Sequence, residues 1–185
     1  MRAVRKETEL TAERRERHAR VAQLFEQHAD FVLRLLRRFG TPEIECEDAL
    51  QEVFLIVARK LAEYEERGGM RAWLFAIARQ VGSDARRASI RRERRHRGLF
   101  VFEIADDDPH ATLERNQAVR FLHAFLAQIE PRQAEVFYLA EVEGMSAPEI
   151  AAALEVKLNT VYSRLRLARE RFERALRRIG DGRPL

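Results

Sequence analysis

Apolar residues recur at intervals of three and four along most of the chain, and no segment alternates convincingly between apolar and polar. That period gives a helix one buried stripe and leaves its other faces wet. The expected fold is all-α. Its 185 residues suit one domain or two small ones. A helix over about residues 20–39 uses Leu24, Phe31, Leu35, Leu36 and Phe39, and Gly40-Thr41-Pro42 breaks it. A second helix, over about 45–64, turns Leu50, Val53, Phe54, Val57 and Leu61 inward. After the polar loop from Glu65 to Gly69, a third helix over about 70–94 buries Leu74, Ile77, Ala78, Val81 and Ala85.

The period fades from His96 to about His110, where Asp106-Asp107-Asp108-Pro109 is a turn signal. It returns with Leu113, Val119, Leu122, Phe125, Leu126 and Ile129. Pro131 is placed to open a further helix carrying Val136, Phe137 and Leu139. The expected organisation is two small helical domains, 20–95 and 113–180, joined by an acidic linker over 96–112. Residues 1–19 are expected as a charged tail or frayed helix, and 181–185 as a tail.

The second domain contains a helix-turn-helix pattern. Ser146-Ala147-Pro148-Glu149 fits a capping box, in which Ser146 and Glu149 satisfy each other's backbone N–H groups. Pro148 is tolerated because first-turn N–H groups lack intrahelical partners. Ile150, Ala151 and Leu154 form the apolar face of this short helix. The next helix starts near Leu158 or Asn159, with Val161, Leu165, Ala168, Phe172, Leu176 and Ile179 in its buried stripe. Its other faces hold Asn159, Thr160, Tyr162, Ser163, Arg164, Arg166 and Arg169. In such units the start of the second helix meets base edges, and arginine, serine, threonine and asparagine suit bases and phosphates. DNA is the expected ligand.

Charge is distributed unevenly. The net charge is only +4, yet Arg86 to Arg97 holds seven arginines and Glu103 to Asp108 is acidic. Such asymmetry suits a protein with surfaces for different partners. The single cysteine, Cys46, excludes an internal disulfide and a cysteine-cluster zinc site. His18, His28, His96, His110 and His123 lack metal-ligand spacing, and there is no nucleotide-binding glycine loop. No enzyme activity, metal or cofactor is expected. No apolar run approaches membrane-spanning length and the first residues lack a secretory signal, so a cytoplasmic protein without membrane contact is expected.

Three motifs occur in order: Asp48-Ala49-Leu50-Gln51-Glu52-Val53-Phe54, then Arg71-Ala72-Trp73-Leu74-Phe75-Ala76-Ile77-Ala78-Arg79, then the helix-turn-helix. Together, over roughly residues 20–178, they closely resemble the extracytoplasmic-function (ECF) group of the sigma-70 family of bacterial RNA polymerase sigma factors. The resemblance implies core RNA polymerase as partner, through the clamp helices of its largest catalytic subunit and the flap of its second-largest. Asp48, Gln51, Glu52 and Leu55 would face the clamp helices. Glu66, Arg67, Gly68 and Gly69 would contact bases of the melted −10 element. Arg71, Trp73, Arg79, Gln80, Ser83, Asp84, Arg86 and Arg87 would line the strand. Trp73 fits a core anchor at least as well as a stacking platform.

The helix-turn-helix would read duplex −35 DNA, and the acidic linker would thread toward the active-site cleft. A linker of about 15–19 residues has a free span of only ~20–25 Å. The two promoter elements lie more than ~35 Å apart, so the linker must extend in the working complex. An anti-sigma factor is a further partner of many such proteins.

This chain departs from the family pattern at several positions. Gln80 stands where asparagine is common, Met70 for phenylalanine, Glu130 for proline, and Glu155 and Asn159 for glycine. A left-handed backbone at Glu155 would cost ~1–2 kcal/mol. The competing reading is a self-sufficient, dimeric helix-turn-helix regulator, which the Asp48–Phe54 and Arg71–Arg79 motifs disfavour.

Overall fold

The computed structural model describes residues 2–66, 68–95 and 113–180. Every regular element among them is helical. The chain divides into two compact units, Met1–Glu103 and Ile104–Leu185. The first holds α1 (Arg2–Arg38), α2 (Glu43–Lys60) and α3 (Gly69–Arg95), with a 3₁₀ turn at Leu61–Glu63. The second holds α4 (Leu113–Gln128), α5 (Pro131–Phe137), α6 (Ala147–Ala153) and α7 (Leu158–Gly180), with a π-helical turn at Tyr138–Val142. The expected linker over 96–112 and tail over 181–185 lie outside the described residues.

In the first unit each helix packs against the other two. Phe31, Val32, Leu35 and Leu36 of α1 meet Cys46, Ala49, Val53 and Val57 of α2, and Leu74, Phe75, Ala78 and Val81 of α3, all buried. Helix α1 begins at Arg2, far ahead of the apolar pattern that starts near residue 20. No glycine or proline interrupts this stretch, and its alanines, arginines and glutamates propagate a helix once the packed part has nucleated it. Its side chains at 14–20 are exposed.

The end of α1 is set by Gly40 (φ +79°), whose left-handed backbone costs glycine nothing. The N–H of Thr41 then bonds the carbonyl of Leu36 at 3.1 Å, and that of Gly40 the carbonyl of Arg37 at 2.9 Å. This pair of bonds is a Schellman cap.

Helix α2 follows at once, with Pro42 at its N-cap and no side-chain cap. Its first turn is held by Arg37, whose Nε donates to Glu43 Oε2 at 2.9 Å and whose Nη2 donates to Oε1 at 2.5 Å. The Arg37 hydrogen bond, strengthened by its charge, lowers the Glu43 pKa. Nearby Cys46 is buried, and burial together with the Glu43 carboxylate pushes its thiol up to about 11. It is a packing residue, as expected of a small apolar group.

In the second unit Phe172 of α7 lies 5.7 Å from Phe121, and 5.1 Å from both Phe125 and Phe137, between ring centroids. One ring thus gathers α4, α5 and α7. Pro131 occupies the first turn of α5, where its missing N–H is harmless. Val161, Leu165, Ala168 and Ala175 of α7 are buried. The expected stripe runs too far, because Leu176 is 46% exposed and Ile179 45%. Ala175 takes the last buried position in their place.

Helix α6 opens with the full capping box. The Ser146 N–H donates to Glu149 Oε2 at 2.8 Å, and the Glu149 N–H donates to Ser146 Oγ at 3.4 Å. Its other end repeats the cap of α1 with a different residue: Glu155 is left-handed at φ 54°. The Val156 N–H bonds the Ala151 carbonyl at 3.0 Å, and the Glu155 N–H that of Ala152 at 3.4 Å. Glu155 is exposed, so the strain is in its backbone rather than in crowding.

Two outcomes are expected. Glu155→Gly relieves ~1–2 kcal/mol of left-handed strain and loses ~0.4–1 kcal/mol to the freer unfolded chain, a net gain of roughly 0.5–1 kcal/mol. Hydrogen exchange of the α6 and α7 amides measures it; the single tryptophan, Trp73, reports only on the first unit. A loss of protection on Glu155→Gly refutes the strain. In the first unit, the Glu43 pKa lies below its unfolded value, so the stabilisation is complete above the ordinary carboxylate pKa, ~4.3. It is lost as pH falls through the folded value. Arg37→Ala should raise the Glu43 pKa toward the ordinary value in a carboxyl NMR titration.

Candidate nucleic-acid and protein interfaces

Helix α2 buries Cys46, Ala49, Val53, Phe54 and Val57. Asp48, Gln51, Glu52 and Leu55 fall on the opposite side by helical geometry and are all exposed, Leu55 by 59%. The expected docking residues thus form one wet face with an aliphatic group among acids and an amide.

The −10 candidates divide among several settings. Glu66 is exposed at the end of the 3₁₀ turn's loop, and Arg67 lies outside the described residues. Gly68 and Gly69 have φ of 89° and 85°, backbone conformations that side chains disfavour, where the chain enters α3. Arg71 is turned inward, its guanidinium 4.4 Å from the centre of the Phe31 ring. With burial, its charge lowers the pKa of His28. Trp73 is half-buried and packs on Tyr64, 4.8 Å between centroids, so part of its ring is anchored and part is reachable.

Further along α3, Gln80, Ser83 and Arg87 recur three and four residues apart on its outward stripe, in line with Trp73. Arg79 is exposed to one side. Arg86 is exposed and passes the end of α1, with its Cδ 3.3 Å from where a Cβ on Gly40 would stand. Asp84 differs from the rest. Its Oδ1 accepts from Arg87 Nη2 at 2.5 Å, and it lines an open groove of about 500 Å³ with Glu45, Asp48 and Glu52 of α2. The fold therefore sets this −10 candidate beside acids expected to dock on the polymerase.

On α7, Asn159 and Thr160 stand in the first turn, followed by Tyr162 (54% exposed), Ser163 and Arg164. The Ser163 hydroxyl donates to the Thr160 carbonyl at 3.0 Å. Arg166 pairs with Glu170 at 2.7 Å on the surface. Arg169 points elsewhere: its Nε donates to Glu141 Oε1 at 2.7 Å, tying α7 to the π-helical turn. That pair rims an apolar groove of about 530 Å³ lined by Phe121, Leu122, Val142, Phe172 and Leu176 among others.

Neither this groove nor Glu141 belongs to the residues expected from sequence. The one available signal was the run of apolar positions to Leu176 and Ile179, beyond what the unit can cover. Among the described residues, no group of three or more His, Cys, Asp or Glu side chains is arranged to hold a metal ion. No helix among them is long and apolar enough to cross a membrane.

Comparison with known proteins agrees on both units. Residues 24–95 match the family model "Sigma-70 region 2", and residues 122–172 match "Sigma-70, region 4". The chain is 31% identical over 160 residues to RNA polymerase sigma factor NccH of Alcaligenes xylosoxydans xylosoxydans, covering 81% of this chain and 83% of that protein. It is 32% identical over 152 residues to ECF RNA polymerase sigma factor SigE of Mycolicibacterium smegmatis, covering 81% of this chain but only 59% of that longer relative. The sigma factor RpoE of Bartonella quintana, solved in complex with the anti-sigma factor NepR, has a similar fold, with a TM-score of 0.58 and 25% identity over 83% of this chain and 96% of that one. A self-sufficient regulator related only through its second half would leave the region 2 match unexplained. The chain belongs to the sigma-70 family, in its group of ECF RNA polymerase sigma factors.

Proposed function

We propose that this chain is a promoter-specificity subunit that carries core RNA polymerase to its promoters and performs no bond chemistry itself. The observation that carries the reading is the N-terminal part of α7, where Asn159, Tyr162 and Ser163 are exposed and Thr160 and Arg164 half-buried, on a helix joined by the Glu155 turn to the capping-box helix α6. Residues 113–180 act as sigma domain four and read duplex −35 DNA through this helix. Arg166 assists at the phosphates. Arg169, held by Glu141, meets DNA only if it exchanges a carboxylate for a phosphate.

Residues 20–95 act as sigma domain two. Asp48, Gln51, Glu52 and Leu55 dock on the clamp helices of the largest subunit. The Glu66–Gly69 loop and the outward stripe of α3 hold the melted −10 strand, where a cationic surface follows phosphates and Trp73 offers an aromatic edge to an unstacked base. Arg71 supports this surface from within by packing on Phe31. The apolar groove of the second unit takes the flap of the second-largest subunit, since exposed apolar surface of this kind calls for a cover. The protein works in the cytoplasm and is restrained by an anti-sigma factor, as RpoE is bound by NepR in the similar structure.

Run-off transcription with core polymerase tests the assignment. Arg164→Ala should weaken −35-dependent initiation by about 1–3 kcal/mol in apparent promoter affinity and leave core binding intact. Equal activity on intact and scrambled −35 templates in the unmodified protein refutes the −35 reading. Tight specific promoter binding by a free dimer refutes the sigma function.

A further inference from the structure

We propose that Ile44 is a second apolar anchor for core polymerase, extending the docking face of α2 to its first turn. The inference rests on the docking reading above and adds the chemistry of the surface that α2 meets. Ile44 is 90% exposed, and Leu55, eleven residues on, is 59% exposed. Ile44, Asp48, Gln51 and Leu55 are spaced by four, three and four residues, which aligns them along one side of the helix. That side is opposite the buried Cys46, Ala49, Val53 and Val57. At 1.5 Å per residue the two aliphatic groups stand ~16 Å apart.

Only an acid and an amide lie between them on this line, and Glu52 flanks it. One turn beyond Leu55, Arg59 ends the line with a cation; its Nε donates to the Leu55 carbonyl at 3.2 Å. A single exposed aliphatic side chain is ordinary. Two in register, enclosing acidic and amide groups, make a patterned face: apolar, acid, amide, apolar, cation. The occupant that fits it is a helical protein surface with two apolar positions about three turns apart, cations between them and an acid beyond one end. The face is also held in place. Arg37 grips Glu43, the residue before Ile44, through two nitrogens, so the first turn loses little freedom on docking.

Affinity of the full chain for core RNA polymerase, titrated at fixed salt, tests this. Ile44→Ala should weaken binding roughly tenfold, the scale of a moderate hot spot. Ile44→Arg should weaken it more than Ile44→Glu, because the partner's cations repel an added cation. Circular dichroism and melting of Ile44→Ala should match the parent chain, since the side chain is exposed. Leu55→Ala is the control for the underlying reading. If Leu55→Ala weakens binding and Ile44→Ala leaves it unchanged, the Ile44 anchor is overturned and the docking face stands. If neither changes affinity, the docking face itself is overturned. Should Ile44→Ala dissolve a homodimer in sedimentation while polymerase affinity holds, the face belongs to a second copy and the proposal is overturned.

Discussion

The ring of Phe172 decides what the second unit can present. It meets Phe121, Phe125 and Phe137 at 5.1–5.7 Å and so draws α4 and α5 to one side of α7. With Val161, Leu165 and Ala168 also buried, the rotation of α7 about its axis is fixed. Tyr162, Ser163 and Arg166 are outward because these residues are inward. Losing the ring would remove more than apolar area, since aromatic pairs of this kind add ~0.5–1.5 kcal/mol each beyond burial. The same cluster leaves Leu176 uncovered beside the groove, so one packing arrangement sets both the basic face and the apolar one.

The angle at which α6 meets α7 depends on a costlier device. Among the described residues two Schellman caps occur, each with the same two hydrogen bonds and a left-handed residue. At the end of α1 that residue is Gly40; at the end of α6 it is Glu155. The turn closes at Glu155 in spite of its side chain, held by the capping box ahead of it and the buried Ile150 and Val161 on either side. A helix-turn-helix with this residue works against backbone strain of ~1–2 kcal/mol. Such strain persists where surrounding contacts over-determine the conformation.

Much of this was legible in the sequence because it is local. The helical period, the Ser146–Glu149 box, Pro131 at a helix start and the break at Gly40 all depend on residues within a few positions of one another. The turn at Glu155 was legible only as a position of the family pattern. What escaped depends on distance along the chain or on where a core runs out. The Arg169–Glu141 pair joins residues 28 apart, and no spacing rule favours it over DNA contact for Arg169. Asp84 reads as part of α3, yet packing sets it in a groove with acids of α2. Leu176 and Ile179 continue an apolar period past the last helix able to cover them. Helix α1 shows the reverse, continuing where no apolar pattern requires it, because no residue stops it.

The modest net charge of +4 conceals two faces of opposite sign in the first unit. Acids and an amide occupy the outward side of α2, and arginines flank the outward stripe of α3. Neighbouring helices pack ~8–10 Å apart, and the screening length at physiological salt is ~8 Å. Charges on the two far sides are therefore largely independent. At the seam between the helices they are not, and there Arg87 pairs with Asp84 while Arg91 lines the acidic groove. An exposed pair of this kind contributes little to stability. Its effect is on the local field: it limits how far the acids of α2 repel an anion near α3, and how far the arginines of α3 repel a cation near α2. For the proposed function, in which adjacent helices engage a polyanion and a protein, that separation matters more than a large net charge.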